Sequence, residues 1–318
     1  MKTFESAEFK YNPSIHVPFR DKKVLEQMRE IGREDFINHP NKKLNITVMN
    51  DHEIEFAYLY DMFFRIKEAM EAGEQLVMIL PQPWPFYAMI AKMLNRANVD
   101  CRKLYTFNMD EYADEAGNIA PESWTYGFTH SLKKYFYNEL DPKLRPKESQ
   151  MVGLCNENIN DYGQMITDLG GADICYAGPG WTGHIAFTEP ANEVSPELPT
   201  DLEEFKNWGP GIVTLSPYTL AQNSLHASFG MSGDLAAVPP KAATIGPKQY
   251  LESKEMVSSY AISIQGTQSS WQRLTARLAL FGPVTPLVPD SLIQLRDAEI
   301  WVSETIAKKI EVDFEGGY

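Results

Sequence analysis

The sequence predicts an α/β fold: a doubly wound, mainly parallel Rossmann-like sheet with helices on both faces. Three observations lead there. Short apolar runs rich in β-branched and aromatic residues recur along the 318 residues. Amphipathic stretches with helical spacing lie between them. Several of the apolar runs stop at clusters of glycine, proline or acid, the composition of loops at the carboxyl ends of parallel strands. At 43% hydrophobic residues the chain can bury a core large enough for such a sheet.

Residues 1–43 are polar and mixed, and read as an extension with one helical segment, Lys22–Ile37. The α/β domain then spans 44–318. Leu44–Met49 reads as a strand, followed by a long amphipathic helix over His52–Ala72 with Phe56, Leu59, Phe63, Ile66 and Met70 at helical spacing. Gln75–Leu80 is a strand, Phe86–Ala97 a helix and Lys103–Asn108 a strand. Ser123–Leu140 reads as a helix with an aromatic face. Met151–Leu154, Ala172–Ala177, Gly211–Leu215, Ala242–Ile245 and Val257–Gln265 are further strands, then Ser269–Leu280 a helix and Ala298–Val302 the last strand. The Pro196–Pro210 stretch, rich in breakers, is expected to form a flexible flap. No internal repeat is present.

Charge and cysteine content narrow the partners. A net charge of -14 repels nucleic acid and anionic membranes, so neither is expected as a partner. The three cysteines, Cys101, Cys155 and Cys175, lack metal-ligand spacing and read as reduced, mostly buried thiols. No metal or other cofactor is suggested. The N-terminus lacks the apolar core of a signal peptide, and no apolar run is long enough to span a bilayer. A cytoplasmic protein acting on a small molecule is expected, with homo-oligomerisation left open.

The most informative stretch is Ala177-Gly178-Pro179-Gly180-Trp181-Thr182-Gly183-His184-Ile185-Ala186-Phe187-Thr188-Glu189-Pro190. An apolar strand stops at three glycines, Gly178, Gly180 and Gly183, which let the backbone turn sharply and approach a ligand. His184 titrates near neutrality, and Glu189 is an acid able to orient it. A second acidic pair, Asp110-Glu111, follows another strand in Thr106-Phe107-Asn108-Met109-Asp110-Glu111-Tyr112. Two carboxylates after a strand also serve as a helix cap. Beside a histidine at the same sheet end, they can instead move protons between carbons while the histidine works on a sugar oxygen.

TFNMDEY, the strand–GxGxxGHIAFxEP element and the distal VPPKAATIGPKQYLESKE segment together resemble the glucosamine-6-phosphate deaminase/isomerase family. The 6-phosphogluconolactonases are a weaker match. The resemblance runs from about Leu44 to Thr305. It implies that Asp110 is the general base moving a proton between C2 and C1 of an open-chain amino sugar. It further implies that His184 opens the pyranose ring and that Glu189 holds that histidine, with Glu111 in a hydrogen-bonding role. The implied chemistry is isomerisation through an enolamine, then addition of water at C2 and release of ammonia, without a cofactor.

The sequence departs from the family pattern at four places. A Gly/Ser/Thr-rich phosphate turn is replaced by Pro81-Gln82-Pro83-Trp84-Pro85, whose prolines remove three N–H donors. Leu220 stands where the family has a phosphate-binding arginine, and Ser269 where it has a lysine after Gly266-Thr267-Gln268. Lys248 and Arg273 are possible substitutes. Thr182 replaces an aspartate two residues before the histidine, removing a charge that supports its basicity. Trp84, Trp181 and Trp271 fall in loops expected to line the pocket, with Trp124 and Trp208 on lid segments, and so suggest an aromatic platform. Gln82, Trp84, Glu111, Gly178, Gly180, Trp181 and Gly183 are thus the expected substrate contacts, and Asp110, His184, Glu189 and Thr182 the catalytic set. The leading expectation is an amino-sugar isomerase/deaminase with altered phosphate recognition. The alternatives are a catalytically impaired sugar-binding or regulatory homologue and, less attractive, a sugar lactonase.

Overall fold

A computed structural model of the chain describes residues 9–262 and 269–312. The C-terminal end of the expected Val257–Gln265 strand, and the Gly266-Thr267-Gln268 turn, lie outside the described residues. In chain order the elements are α1 (Lys22–Glu30), α2 (Arg33–Ile37), β1 (Leu44–Met49), α3 (Asp51–Glu71), β2 (Leu76–Leu80), α4 (Tyr87–Arg96) and β3 (Leu104–Asn108). Then come β4 (Asp110–Ala113), α5 (Phe128–Tyr135), β5 (Met151–Val152), α6 (Tyr162–Asp168), β6 (Ile174–Ala177), α7 (Leu202–Asn207) and β7 (Gly211–Thr214). The chain closes with α8 (Pro217–Ser224), β8 (Lys241–Thr244), α9 (Pro247–Glu252), β9 (Glu255–Tyr260), α10 (Gln272–Phe281), β10 (Ala298–Ser303) and α11 (Glu304–Ala307).

Seven strands form one sheet in the order β1-β10-β9-β6-β2-β3-β5, and every pairing within it is parallel. Its central strands are apolar throughout, as a sheet covered by helices on both faces requires: all five residues of β2 are buried, Leu-Val-Met-Ile-Leu. From β2 the chain winds outward through β3 and β5. It then returns to the other side of β2 as β6, so the winding direction reverses between β2 and β6. In open parallel sheets ligands bind outside the carboxyl ends of strands at such a reversal. Here the loops leaving Leu80 and Ala177 flank that crevice.

The sequence reading did not foresee a second sheet. β4, β8 and β7 form a separate three-stranded antiparallel sheet, so Gly211–Thr214 and Lys241–Thr244 lie outside the main one. Asp110 and Glu111, expected in a loop, are the first two residues of β4, paired with Thr244 and Ala243. Acidic residues are poor strand formers, and pairing to the mostly buried β8 overrides that preference here. Met109 alone joins β3 to β4. Its N–H donates to the Leu80 carbonyl and its own carbonyl accepts from Ile245 N–H, so the small sheet is bonded onto the end of the large one.

Three other elements differ from expectation. The Lys22–Ile37 segment is two helices, α1 and α2, broken at Ile31-Gly32. The expected helix over Ser123–Leu140 begins only at Phe128, because Gly127 is extended and the turn at Trp124 precedes it. Pro196–Pro210 is a packed segment containing α7, with Leu198 and Phe205 buried in the main core.

Residues 9–43 are tied to the rest by buried contacts. Phe36 is fully buried in the main core. The buried Arg277 guanidinium donates to the carbonyls of Ile31, Ile306, Ala307 and Lys308 at 2.9 to 3.1 Å, which satisfies a charge that burial makes costly. Among the described residues no helix is long and apolar enough to cross a membrane.

Candidate active site

A cavity of about 640 Å³ opens at the β2/β6 reversal. It lies within the size range of small-molecule sites. Asp110 and His184 both line it, together with Gln82 and Trp84 from the proline loop and Gly178 and Gly180 from the loop after β6. Thr244 ties the segments that carry Asp110 and His184 together. It pairs with Asp110 across β4 and β8, and its hydroxyl accepts the Phe187 N–H at 3.0 Å. Next to it, Thr188 donates to the Ile245 carbonyl at 2.9 Å. The histidine loop is thereby fastened to the strand that carries Asp110's partner.

That loop folds as its glycines require. Gly183 has φ +79°, in the left-handed region that glycine tolerates. Gly180 leaves space for the imidazole: a Cβ there would stand 1.9 Å from His184 Nε2. Ala186, on the cavity wall, also has a positive φ, +52°, at the turn closed by the Thr188 N–H to the Ile185 carbonyl. A non-glycine residue held there marks a conformation imposed by its surroundings.

The imidazole of His184 is held from one side. Its Nδ1 stands 3.1 Å from the Thr182 hydroxyl and 3.1 Å from the Thr219 hydroxyl. Thr182 donates onward to Glu189 Oε2 at 3.3 Å, while Nδ1 itself is 3.8 Å from that carboxylate. The other Glu189 oxygen accepts the Ser216 N–H at 2.9 Å, at the N-cap of α8. A threonine that donates to a carboxylate offers its oxygen as acceptor, so Nδ1 carries the proton and Nε2 keeps its lone pair for the cavity. Burial pulls the His184 pKa below the usual histidine value, opposed by Glu189. The ring is therefore neutral near pH 7 and able to act as a base.

Asp110 is 7% exposed and its Oδ1 has no hydrogen-bond partner. Burial, reinforced by the neighbouring Glu111, pushes its pKa well above the usual carboxylate range. An unpaired carboxylate at a cavity wall is costly for folding and is a signature of functional sites.

The remaining expected residues fall elsewhere. Glu189 is fully buried behind His184, and Thr182 lies between them, off the cavity wall. Glu111 points away into the protein, where it accepts the N–H groups of Tyr112, Phe128 and Thr129 at 2.8 to 3.1 Å. It thereby caps α5, whose own N-cap Gly127 has no side chain to do so. Trp181 and Trp271 stack on each other at 6.0 Å outside the lining, and Gly183 also lies outside it. Trp124 packs edge-on against Tyr112. Of the six tryptophans only Trp84 lines the cavity, so the expected platform of several indoles reduces to one.

Sequence reasoning missed the wall formed by α8 and the residues after it. Gln222, Asn223 and His226 line the cavity there. Gln222 Oε1 accepts the Trp181 N–H at 2.6 Å, and Asn223 donates to the Tyr112 hydroxyl at 3.0 Å. Gln222 and Asn223 lie on α8 and His226 past its end, so no helical spacing marked the three together. Among the described residues no group of three or more His, Cys, Asp or Glu side chains is arranged to hold a metal ion.

No family model matches the chain. A glucosamine-6-phosphate deaminase of Caenorhabditis elegans is 29% identical over 225 residues, covering 68% of this chain and 74% of that one. Another, from Lachnoclostridium phytofermentans, is 28% identical over 215 residues, covering 66% and 77%. The chain resembles the glucosamine-6-phosphate deaminases. Among solved structures, a monomeric glucosamine-6-phosphate deaminase superposes with a TM-score of 0.65 at 21% identity, covering 83% of this chain and 98% of that one. A 6-phosphogluconolactonase from Trypanosoma cruzi superposes with a TM-score of 0.56 at 12% identity, covering 84% and 97%. These two likenesses carry the α/β fold.

The positions that depart from the deaminase pattern can now be placed. Leu220 packs on the main core and lies outside the cavity lining. Lys248 and Arg273 are also outside it, and one Arg273 nitrogen donates to the carbonyls of Lys308 and Lys309.

Proposed function

We propose that the chain is an amino-sugar isomerase/deaminase in which His184 opens the sugar ring and Asp110 carries a proton from C2 to C1. The observation that carries this reading is the meeting of two groups on one cavity wall. One is an unpartnered, nearly buried carboxylate, the other a neutral imidazole fixed through Nδ1. A carboxyl whose pKa burial has raised is a stronger base toward a carbon acid than an exposed one. A neutral histidine with a free Nε2 suits transfer of a proton from the anomeric hydroxyl to the ring oxygen.

In this reading the open-chain amino aldose loses its C2 proton to Asp110 while its C1 oxygen takes up a proton from solvent, forming an enolamine. Return of the proton at C1 leaves an iminium at C2. Water adds there and ammonia departs, giving a ketose. Glu189 and Thr182 do not touch the substrate; they orient His184. The recognition of phosphate differs from the family's pattern, since prolines occupy the turn after β2 and Leu220 and Ser269 replace the two cations. Ammonia release from amino sugars, measured for the wild type and for Asp110→Asn, tests the reading. Loss of ammonia release in the variant with ligand binding retained supports it, and an equally active variant refutes it.

A further inference from the structure

The cavity holds more charge information than the reaction uses. Among the described residues its lining contains the carboxylates Asp51, Glu55 and Asp110, and no lysine or arginine. Backbone donors are reduced there as well. Three of the five residues from Pro81 to Pro85 lack an N–H, the Gly180 N–H is taken by the His184 carbonyl, and the Trp181 N–H is taken by Gln222. A phosphate dianion entering this site would lose water and meet carboxylates without a cationic side chain among the described residues.

A neutral hydroxylated ring meets the opposite situation. Trp84 is 42% exposed at the cavity, and its indole lies 6.3 Å from the His226 ring. Nε2 of His226 is buried without a hydrogen-bond partner, as is the Tyr87 hydroxyl on the same lining. Such groups are normally satisfied, and orphans on a cavity wall await a polar ligand. Burial, with His184 nearby, lowers the His226 pKa to about 4. His226 is then uncharged above that pH, offering a hydrogen bond to a hydroxyl and no charge for an anion.

We propose that this cavity is selective for free amino sugars over their phosphate esters, with the ring resting on Trp84 and a sugar hydroxyl bonded to His226. The proposal rests on the isomerase/deaminase reading for its reaction, but its selectivity claim is a statement about binding and can fail separately.

Calorimetric titration of the wild type with free 2-amino-2-deoxyhexoses and with their 6-phosphates tests it, alongside His226→Ala and Trp84→Leu. The expected result is binding of a free amino sugar at least about tenfold tighter than its 6-phosphate. Each variant should weaken the free sugar by about tenfold, the worth of one hydrogen bond or stacking contact. Trp84 is exposed, so Trp84→Leu serves if His226→Ala fails to fold. Equal or tighter binding of the 6-phosphate overturns the proposal, as does binding of neither. If the 6-phosphate binds more tightly and releases ammonia, the selectivity claim falls and the reaction stands. If the free sugar binds more tightly but neither exchanges its C2 proton nor releases ammonia, selectivity stands and the reaction falls.

Discussion

Thr182 links His184 to Glu189: its hydroxyl stands 3.1 Å from the imidazole Nδ1 and donates to the carboxylate at 3.3 Å. The sequence reading expected the exchange of an aspartate for Thr182 to leave His184 less supported. In the structure the threonine transmits the orienting effect of Glu189 without bringing a second charge into a buried site. Thr182→Val keeps the shape and removes the hydroxyl. It is expected to lower kcat by about ten- to a hundred-fold with KM little changed. An unchanged kcat would show that Thr219, at the same distance, suffices alone.

Thr182→Asp makes the converse prediction. A carboxylate beside Nδ1 favours the protonated imidazole, so the His184 pKa should rise from its lowered position. The acid limb of the kcat/KM profile, below which the histidine is protonated and no longer a base, should move to higher pH. A limb that stays in place would mean that another group sets it.

Gly180 backs onto the imidazole edge, and an added methyl has no room there. Gly180→Ala should displace the ring and cut kcat by about a hundred-fold or more, since small misplacements of a catalytic group are that costly. The thermal midpoint should change far less than activity does. A variant of full activity would show that the ring is not held where the structure places it.

Glu111 should behave as a structural residue. Its carboxylate accepts three backbone N–H groups, two of them at the start of α5. Glu111→Gln keeps one acceptor and loses the charge at the helix N-terminus, so stability should fall by about 1–3 kcal/mol in denaturant titration. The folded fraction should keep most of its kcat, because burial, the larger cause of the raised Asp110 pKa, is unchanged. A selective loss of kcat would return Glu111 to the substrate.

Asp290 supplies a pH test of packing. It is fully buried between the hydroxyls of Tyr250 and Tyr260, and burial raises its pKa to about 7. Its unfolded value is about 4, so the folded state binds the extra proton. The resulting stability is fully present below about pH 4 and is lost as pH rises through about 7. Asp290→Asn removes this titration. The wild type should therefore lose stability relative to the variant between about pH 4 and about pH 8, read from urea midpoints. A constant difference would show that Asp290 does not titrate in that window.

Much of this was legible because the main sheet follows strong local rules. β2 is an unbroken apolar run, β3 is a mostly buried run with only Thr106 and Asn108 polar apart from the Tyr105 hydroxyl, and the loop after β6 announces itself by Gly178, Gly180 and Gly183. The small sheet was not legible, because β4 opens with Asp110 and Glu111, residues that favour loops until pairing with Thr244 and Ala243 fixes them. The partners of His184 and Glu189 were only half legible. Thr182 and Glu189 lie within a few residues of it, whereas Thr219 and Ser216 arrive from α8 through tertiary packing alone. His226 sits just past the end of that helix, and neither its burial nor its nearness to Trp84 has a local sequence signature.

The central claim is that Asp110 moves a proton between C2 and C1 of an amino sugar. Exchange of the C2 proton with deuterium oxide, followed by NMR, measures that step apart from ammonia release. The account predicts exchange with the wild type and its loss in Asp110→Asn, by about a hundred-fold or more, while the variant still binds the sugar. Equal exchange in both proteins, or none with any amino sugar that binds the wild type, would contradict it.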